Sequence, residues 1–374
     1  DNDLGFLTGG NDGVILTWDS KYQITNRVSI VKPEVHSLCP RIRSLCEDSD
    51  GNWLVGLRGG EILEVSNGTP KVYLRGHWDK ELWGLCVHPS KDQFYTVGED
   101  KLLGVWDVQT RELVQYCVLE EPATSIDISP NGKELAIGCE SGNLYIYDTA
   151  ALKKKYMKTE NVRKHIEDLK YSPDGSLLAV GGLDKDTDGF SHIFIYDCTK
   201  KYKRLRKCKG HTSRITHIDW SEDGEYLQSN STSYELLFHS AETGVQIVNI
   251  SSLRDVDWHT WTCVLGWPVQ GIWPPFAAGD DVNACDVDKT KRVIVTSDDY
   301  SKVKLFRYPS PVEKAAYNQY NGHSSHVTCV RFTSNNKHVI STGGNDKAIF
   351  QFKFAFDNEG NENEEEEYEE EVKK

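Results

Sequence analysis

Histidine, threonine, aspartate and tryptophan, whose side chains can share hydrogen bonds, recur along this chain at nearly constant offsets. One complete set is His77, Thr96, Asp100 and Trp106. Partial copies are Thr8, Asp12 and Trp18, and then His323, Thr342, Asp346 and Phe352. Buried polar groups of this kind need hydrogen-bond partners to be tolerated. Because the set recurs in several units, we interpret these residues as structural rather than catalytic.

Other groups of ionisable residues do not make a reactive site. The stretch "DKDTDG" from Asp184 resembles the start of a calcium loop, but its twelfth position is Ile195, which supplies no carboxylate. "HSSH" from His323 has metal-like spacing, yet that histidine already belongs to the structural set. The acid pairs at 280–281 and 298–299 suit loops and turns. With no nucleophile motif, no HExxH and no Gly-rich phosphate loop, the sequence predicts a protein that is not an enzyme and holds no metal or cofactor.

The composition favours an all-β protein in a reducing compartment. Aromatic residues make up 10% of the 374 residues, while methionine occurs once. The ten cysteines are scattered through strand-like stretches without a CxxC pair, which indicates buried thiols rather than disulfides or zinc ligands. The chain shows no signal peptide and no long apolar run, so a cytoplasmic protein without a membrane segment is expected.

Much of the negative charge lies at one end of the chain. The net charge is -14, and residues 357–374 hold ten acids against two lysines. Such a like-charge run is expected to be disordered. The remaining body is mildly acidic, which argues against nucleic-acid binding by the whole surface.

The chain is built from repeats. Short apolar strands end in an aromatic residue followed by aspartate, as in "VILTWD", "LLGVWD", "NLYIYD" and "HIFIYD". Including degenerate copies, the spacings are 47, 41, 41, 49, 43, 67 and 46 residues, close to the length of a four-stranded propeller blade. Turns such as "SPNG" and "SPDG" join the strands as hairpins. The histidine-containing set resembles that of WD40 repeats, in which it holds the strands of one blade together.

We expect one ring of seven blades over residues 20–356. Innermost strands are predicted around Ile42, Leu82, Thr124, Ile166, Ile215, Val282 and Val327. The last unit stops after three strands, so we expect the strand at 22–31 to complete it and close the ring. The hairpin of residues 1–19 would then finish a preceding propeller, with 357–374 as a disordered acidic tail. An eight-bladed ring whose first blade lacks its innermost strand is the alternative.

The long spacing coincides with a tryptophan-rich stretch, "WTCVLGWPVQGIWPPF" from Trp261. Its three prolines exclude a regular central strand, so it should form an ordered excursion over one face or rim of the ring. Anchoring the loop by packing is one explanation for the tryptophans, and contact with a partner is the other. Trp261 and Trp273 are the expected exposed members.

The densest positive charge lies in "KKYKRLRKCK", where seven of ten residues are cationic. They are Lys200, Lys201, Lys203, Arg204, Arg206, Lys207 and Lys209. A second run, "KKKYMK", begins with Lys153, Lys154 and Lys155. Both runs fall where an outermost strand belongs, and they are expected side by side at the rim. They would attract an acidic partner or, alternatively, only protect edge strands from aggregation.

An ordered set of motifs resembles one known family. "ITHIDW", "WTCVLGWPVQGIWP", "VNAC", "SDDYSKVKLFRYP" and "GHSSHVTCVRF" are similar to the second propeller of the echinoderm microtubule-associated protein-like family. This resemblance implies binding to tubulin or microtubules, a location on the cytoskeleton or in the ciliary axoneme, and oligomerisation through an upstream segment that this sequence does not contain. The acidic tail would be a solubilising end or a competitor for the basic rim. The alternative function is a general WD40 adaptor that recruits a regulatory protein, such as a kinase or a ubiquitin-ligase subunit, independently of tubulin.

Overall fold

The computed structural model describes residues 5–32, 35, 39–158, 165–183, 189–274 and 281–355. Within them, short antiparallel strands form eight sheets of three or four strands. The helical elements of these residues are three 3-10 turns, Cys198–Lys200, Ile250–Leu253 and Trp267–Ile272. The prediction of an all-β propeller fold is confirmed.

Two sheets precede the ring and share one apolar core. The first contains β1 (Phe6–Gly9), β2 (Val14–Trp18) and β3 (Ile24–Ser29). The second contains β4 (Ile42–Glu47), β5 (Trp53–Leu57), β6 (Ile62–Ser66) and β7 (Thr69–Leu74). Ile15 and Val28 of the first sheet pack with Ile42 and Val55 of the second.

Six further sheets, numbered here as blades in chain order, form the ring. Blade 1 contains β8 (Leu82–Val87), β9 (Gln93–Gly98), β10 (Leu102–Asp107) and β11 (Leu113–Val118). Blade 2 contains β12 (Ala123–Ile128), β13 (Glu134–Cys139), β14 (Leu144–Asp148) and β15 (Lys154–Lys158). Blade 3 contains β16 (Ile166–Tyr171), β17 (Leu177–Gly182), β18 (Ser191–Asp197) and β19 (Lys203–His211).

The other three blades follow the same antiparallel order. Blade 4 contains β20 (Ile215–Trp220), β21 (Tyr226–Ser231) and β22 (Leu236–Ser240). Blade 5 contains β23 (Val282–Val287), β24 (Val293–Asp298), β25 (Val303–Arg307) and β26 (Tyr317–Tyr320). Blade 6 contains β27 (Val327–Phe332), β28 (His338–Gly343) and β29 (Ile349–Lys353).

Serine-containing turns fix the hairpins between first and second strands. The Ser129 hydroxyl accepts a hydrogen bond from the Glu134 N–H at 2.9 Å, and the Ser172 hydroxyl accepts one from the Leu177 N–H at 2.9 Å. Gly132 has a φ of 69°, which a residue with a Cβ adopts at a cost. The "SPNG" and "SPDG" sequences therefore specify these turns directly.

Carboxylates on innermost strands join several pairs of neighbouring blades. Asp127 accepts the Tyr171 N–H at 2.8 Å, and Asp286 accepts the Phe332 N–H at 2.8 Å. The ring closes directly between blades 6 and 1, since the Thr328 hydroxyl donates to the Leu82 carbonyl at 2.7 Å. The first two sheets are therefore not part of this closure.

This closure corrects two expectations. The strand predicted at 22–31 does not complete the last blade, because β3 pairs with β2 and Trp18 lies opposite Ile24. This pairing has a local cause: the Asp19 carboxylate accepts hydrogen bonds from the N–H groups of Lys21 and Gln23 at 2.8 Å, which makes a tight hairpin. The strand at Ile42 lies outside the ring, and the direct contact of blades 1 and 6 also contradicts an eight-bladed ring.

The tryptophan-rich stretch occupies a seventh position, between blades 4 and 5. Asp219 of blade 4 accepts the N–H groups of Thr262 and Cys263 at 2.9 Å, the same kind of contact that joins two neighbouring blades. On the other side, the Cys285 thiol of blade 5 lies 3.3 Å from the Thr262 carbonyl oxygen. The ring thus has seven positions, six filled by sheets and one by this segment.

Candidate partner-binding surface

The two basic runs lie on the outermost strands of neighbouring blades. The run at 153–155 enters β15 of blade 2, and the run at 200–209 includes most of β19 of blade 3. The exposed cations are Lys153, Lys154, Lys155, Lys200, Lys201, Lys203, Arg204 and Lys209. Arg206 and Lys207 are half-buried. We call residues 153–155 and 200–209 together the basic edge.

Part of this positive charge is paired within the protein. Lys155 lies 3.2 Å from Glu134 and 3.1 Å from Asp148, Lys154 contacts Glu120, and Lys200 lies 3.0 Å from Asp197. Partial burial lowers the pKa of Lys155, but its bonds to Asp148 and Glu134 outweigh this effect and raise the pKa. Hydrogen bonds from Thr199 and Lys200 lower the pKa of Asp197 to about 2. These pairs involve cations of β15 and the start of the longer run.

A buried tyrosine fixes the two basic strands relative to one another. Tyr202 is 1% exposed, and its hydroxyl donates to Glu134 of blade 2 at 2.5 Å. Its ring centroid lies 5.8 Å from that of Tyr156 on β15. Because Glu134 also binds Lys155, the beginning of β19 is tied to β15 through Tyr202 and Glu134.

A turn before β19 and a bulge within it set the positions of its cationic side chains. Lys201 and Tyr202 have φ values of 54° and 57°, which make the tight turn into the strand. A bulge opposite Ile195 and Tyr196 shifts the register at Leu205. The Arg204 guanidinium then lies 5.5 Å from the centre of the Phe194 ring, a favourable cation–aromatic distance. The strand therefore presents a row of cations that suits an extended acidic segment.

The tryptophan segment differs from its prediction at two positions. Trp261, predicted to be exposed, is 8% exposed, and its indole N–H donates to the Cys263 carbonyl. Trp273 is half-buried and donates to the Val264 carbonyl at 2.8 Å. Sequence reasoning missed Trp267, which is 64% exposed. The sequence feature that could have indicated this exposure is the position of Trp267 between Gly266 and Pro268, where a 3-10 turn begins.

A cavity and a groove lie on the described part of the ring. A cavity of 720 Å³ is lined by innermost-strand residues such as Trp83, Asp168 and Arg331. A groove of 1540 Å³ beside the tryptophan segment is lined by Trp258, Trp267 and further side chains. Burial raises the pKa of Asp286 in the groove lining to about 6. Both cavities mix apolar and ionic groups.

The recurrent polar set forms hydrogen-bonded chains inside blades. His77 lies 2.9 Å from Asp100 through Nδ1 and 2.8 Å from Thr96 through Nε2, and the Trp106 indole donates to Thr96 at 2.7 Å. All four residues are at most 7% exposed. The indole of Trp18 likewise donates to Thr8 at 2.9 Å.

Blades 4 and 6 carry variants of this chain. In blade 6, His323 lies 2.8 Å from Ser341 rather than contacting Thr342, so the expected threonine is wrong by one position. Thr342 instead contacts Thr328 at 3.0 Å. In blade 4, which the sequence did not reveal, His211 lies 2.7 Å from Ser229 and 3.1 Å from Glu235.

Within the described part of the chain, no group of three or more His, Cys, Asp or Glu residues is arranged to hold a metal ion. The calcium-like stretch at 184–188 lies outside the described residues, as does the tail from 356 onward. Six of the ten cysteines are buried thiols. Among the described residues, no helix has the length and apolarity needed to cross a membrane.

Closed blade-to-blade contacts and intrablade His–Ser/Thr–Asp/Glu chains define a WD40-type β-propeller with one irregular position and a basic edge. Residues 82–354, the ring itself, match the family model described as the echinoderm microtubule-associated protein second beta-propeller. The chain belongs to this family.

Curated relatives match beyond the ring. Echinoderm microtubule-associated protein-like 4 of Mus musculus is 38% identical over 355 residues, covering 94% of this chain and 35% of that protein. The 77 kDa echinoderm microtubule-associated protein of Lytechinus variegatus is 38% identical over 355 residues, covering 94% of this chain and 52% of that protein. The chain thus spans about a third to a half of the length of these relatives.

Proposed function

We propose that this chain is a non-catalytic platform that binds tubulin or microtubules through its basic edge. The observation that carries the proposal is the row of seven cations within ten residues, on β19 and in the turn before it, beside a second basic strand. The relatives described above are named as microtubule-associated proteins. A cytoskeletal location, in the cytoplasm or a ciliary axoneme, follows from this proposal.

The partner chemistry follows from charge. The acidic tails of tubulin are flexible polyanions, and a row of cations raises their local concentration and association rate. The attraction between exposed charges acts over roughly 8 Å at physiological salt. Binding should therefore weaken steeply as salt is added. The groove beside Trp267 would serve the alternative adaptor function, which the comparisons do not favour.

The proposal includes a domain arrangement. We propose that the ring over residues 82–354 is one propeller and that the two preceding sheets belong to another, whose upstream remainder also carries oligomerisation. The separate apolar core of those sheets supports this division. A chain beginning at Gly76 should then melt at the temperature of the ring in the longer chain, and failure of that shorter chain to fold would contradict the boundary.

The test is co-sedimentation with taxane-stabilised microtubules at low and physiological salt. The variant carries Lys200, Lys201, Lys203, Arg204, Arg206 and Lys207 changed to serine. The matched control carries six exposed cations from other sheets changed to serine: Lys21, Arg27, Arg43, Lys71, Lys337 and Lys353. Salt-sensitive pelleting that only the first variant loses supports the proposal. Equal pelleting by both variants would place the contact elsewhere, and no pelleting of the unmodified chain would contradict microtubule binding.

A further inference from the structure

The groove beside the tryptophan segment is lined by a polar group that the fold leaves without a partner. The Gln228 side chain on β21 is fully buried, and its Nε2 donates to the Asp219 carboxylate at 3.2 Å. An ionised carboxylate only accepts, so this bond fixes the orientation of the amide. Gln228 lines the groove, and its Oε1 is buried without a hydrogen-bond partner among the described residues. A buried acceptor without a donor is destabilising, and a ligand donor in the groove would relieve this.

Asp286 adds a carboxylate to the same lining. Its Oδ2 accepts the Phe332 N–H at 2.8 Å, and the two oxygens of a carboxylate can accept further bonds. Burial raises the pKa of Asp286 to about 6, and the Arg331 guanidinium opposes this rise. At neutral pH the carboxyl is therefore ionised in surroundings that disfavour its charge. A cation placed beside it would stabilise the charged form.

Charged side chains on the innermost strands near Asp286 carry an excess of negative charge. We call the following set, whose members interact electrostatically, the axial cluster: Asp127, Asp168, Asp219, Asp286, Lys170 and Arg331. Four carboxylates against two cations leave two negative charges uncompensated within this cluster. The neighbouring His217 adds no positive charge at neutral pH, because burial lowers its pKa. The cluster therefore favours the approach of a further cation.

Aromatic rings supply much of the groove wall. Phe238, Trp258, Trp261 and Tyr308 follow one another with ring centroids 5.9, 6.4 and 6.3 Å apart. Trp258 and Tyr308 are half-buried, so part of each ring is accessible. A cation is attracted to the face of such a ring, most strongly where water is excluded. The aromatic wall and the acidic lining thus favour the same kind of ligand group.

The size of the groove favours a peptide over a free small molecule. Its volume of 1540 Å³ exceeds the roughly 300 to 1,000 Å³ of ordinary small-molecule pockets. Ile250 and Trp267, which are 56% and 64% exposed, also line it and can contact apolar residues next to a cationic one. A guanidinium suits the interior better than an ammonium, because it is planar, weakly hydrated and offers five N–H donors to separate acceptors.

We propose that this groove binds an arginine side chain of a partner peptide, with Asp286 and Gln228 accepting from the guanidinium and Trp258 and Tyr308 packing against it. The site shares no residue with the basic edge, so the proposal does not rest on binding to tubulin. A single blocked arginine buries few atoms and should bind with a dissociation constant on the order of 1 mM.

The first test titrates the unmodified full chain, carrying 15N-labelled tryptophan, with Nα-acetyl-arginine methylamide. The indole signals of Trp258 and Trp267 should shift. The corresponding citrulline compound has nearly the same shape without the charge, and it should bind at least about tenfold more weakly because charge-assisted hydrogen bonds are lost. No shift at concentrations well above the expected dissociation constant would overturn the site. Equal binding of the citrulline compound would overturn the need for a cation, and equal binding of the lysine compound would overturn the choice of a guanidinium.

The second test compares Asp286→Asn with Asp127→Asn as its matched control. Both aspartates occupy the fifth position of an innermost strand and accept a main-chain N–H of the next blade at 2.8 Å. An asparagine oxygen can still accept that bond, so both variants should fold, which circular dichroism checks. Of the two, Asp286 lines the groove.

The two variants should differ in their affinity for the arginine compound. Asp286→Asn should weaken binding about tenfold, whereas Asp127→Asn should bind like the unmodified chain. Unchanged binding by Asp286→Asn, or equal weakening by both variants, would overturn the assignment of the contact to Asp286. The comparison of arginine with citrulline uses the unmodified chain, so it decides the proposal even where a variant fails to fold.

Discussion

Tyr202 donates its phenol hydrogen to Glu134 across the junction of blades 2 and 3, with an O···O distance of 2.5 Å. The same Glu134 carboxylate binds Lys155 through its other oxygen. Tyr202 also contacts the Tyr171 hydroxyl at 2.8 Å. One buried side chain therefore sets the separation of the two basic strands. Burial and the bond to Glu134 raise the pKa of Tyr202, so the phenol stays protonated and remains the donor.

Changing Tyr202 to phenylalanine should lower the free energy of unfolding by about 1 to 2 kcal/mol, since a buried hydrogen bond to a charged acceptor is lost. The ring contacts with Tyr156 remain. Denaturant unfolding measures the change, and the Tyr22→Phe variant, whose side chain is exposed, is the control, expected to change little. An unchanged midpoint for Tyr202→Phe would mean that the hydroxyl does not hold the two blades together.

Blade 4 should be sensitive to acid through His211. Burial lowers its pKa to about 4, against the opposing effect of Glu235. The folded protein therefore binds this proton less readily than the unfolded chain, whose histidine titrates near 6.5. The contribution is complete above pH 6.5 and is lost as pH falls towards 4, at about 3 kcal/mol in total. Glu235, with a pKa lowered to about 2, adds a loss only below pH 4.5.

Two measurements check this sign. The NMR signal of the His211 ring should titrate near pH 4, and the unfolding free energy should decrease between pH 6.5 and 4. A His211→Gln variant, although less stable, should show a shallower pH dependence over the same window. A His211 ring that titrates near 6.5 would contradict the burial argument.

Local features of the fold were predictable from sequence, while the assignment of sheets to the ring was not. The aromatic–Asp strand ends and the "SPNG" and "SPDG" turns act within hairpins, where sequence neighbours decide the structure. The sequence of an edge strand does not indicate in the same way which other strand it pairs with. From sequence alone, the strand at 22–31 could pair either with β2 or with the open edge of the last blade. The short turn at Asp19 decides for β2.

The site shows the same division. The position of the basic runs on outermost strands followed from the repeat period, because the period counts strands. The burial of Trp261 did not follow from the repeat period, because a tryptophan is exposed or buried according to which carbonyl its indole N–H can reach. The Trp261 indole N–H donates to the carbonyl of Cys263, two residues away. The role of Ser341 in place of Thr342 depended on a one-residue shift in the loop that offsets alone do not resolve.

Replacing Asp219, which holds the tryptophan segment at the seventh position of the ring, should reduce stability more than any other single substitution there. It is fully buried and accepts the N–H groups of Thr262 and Cys263 together with the hydroxyl of Thr260. Changing it to alanine leaves these donors without their acceptor, which should cost about 3 kcal/mol or more. The Trp261 environment should change as the segment detaches, so urea unfolding and near-ultraviolet circular dichroism together measure the effect.

The control for this variant is Asp257→Ala in the same segment. The Asp257 side chain is 83% exposed and is paired with Lys291 at 3.3 Å, so its loss should change stability by less than about 1 kcal/mol. If both variants unfold at the same urea concentration, Asp219 does not anchor the tryptophan segment. If Asp219→Ala loses stability but keeps the unmodified near-ultraviolet spectrum, the segment stays in place through its contacts with blade 5 instead.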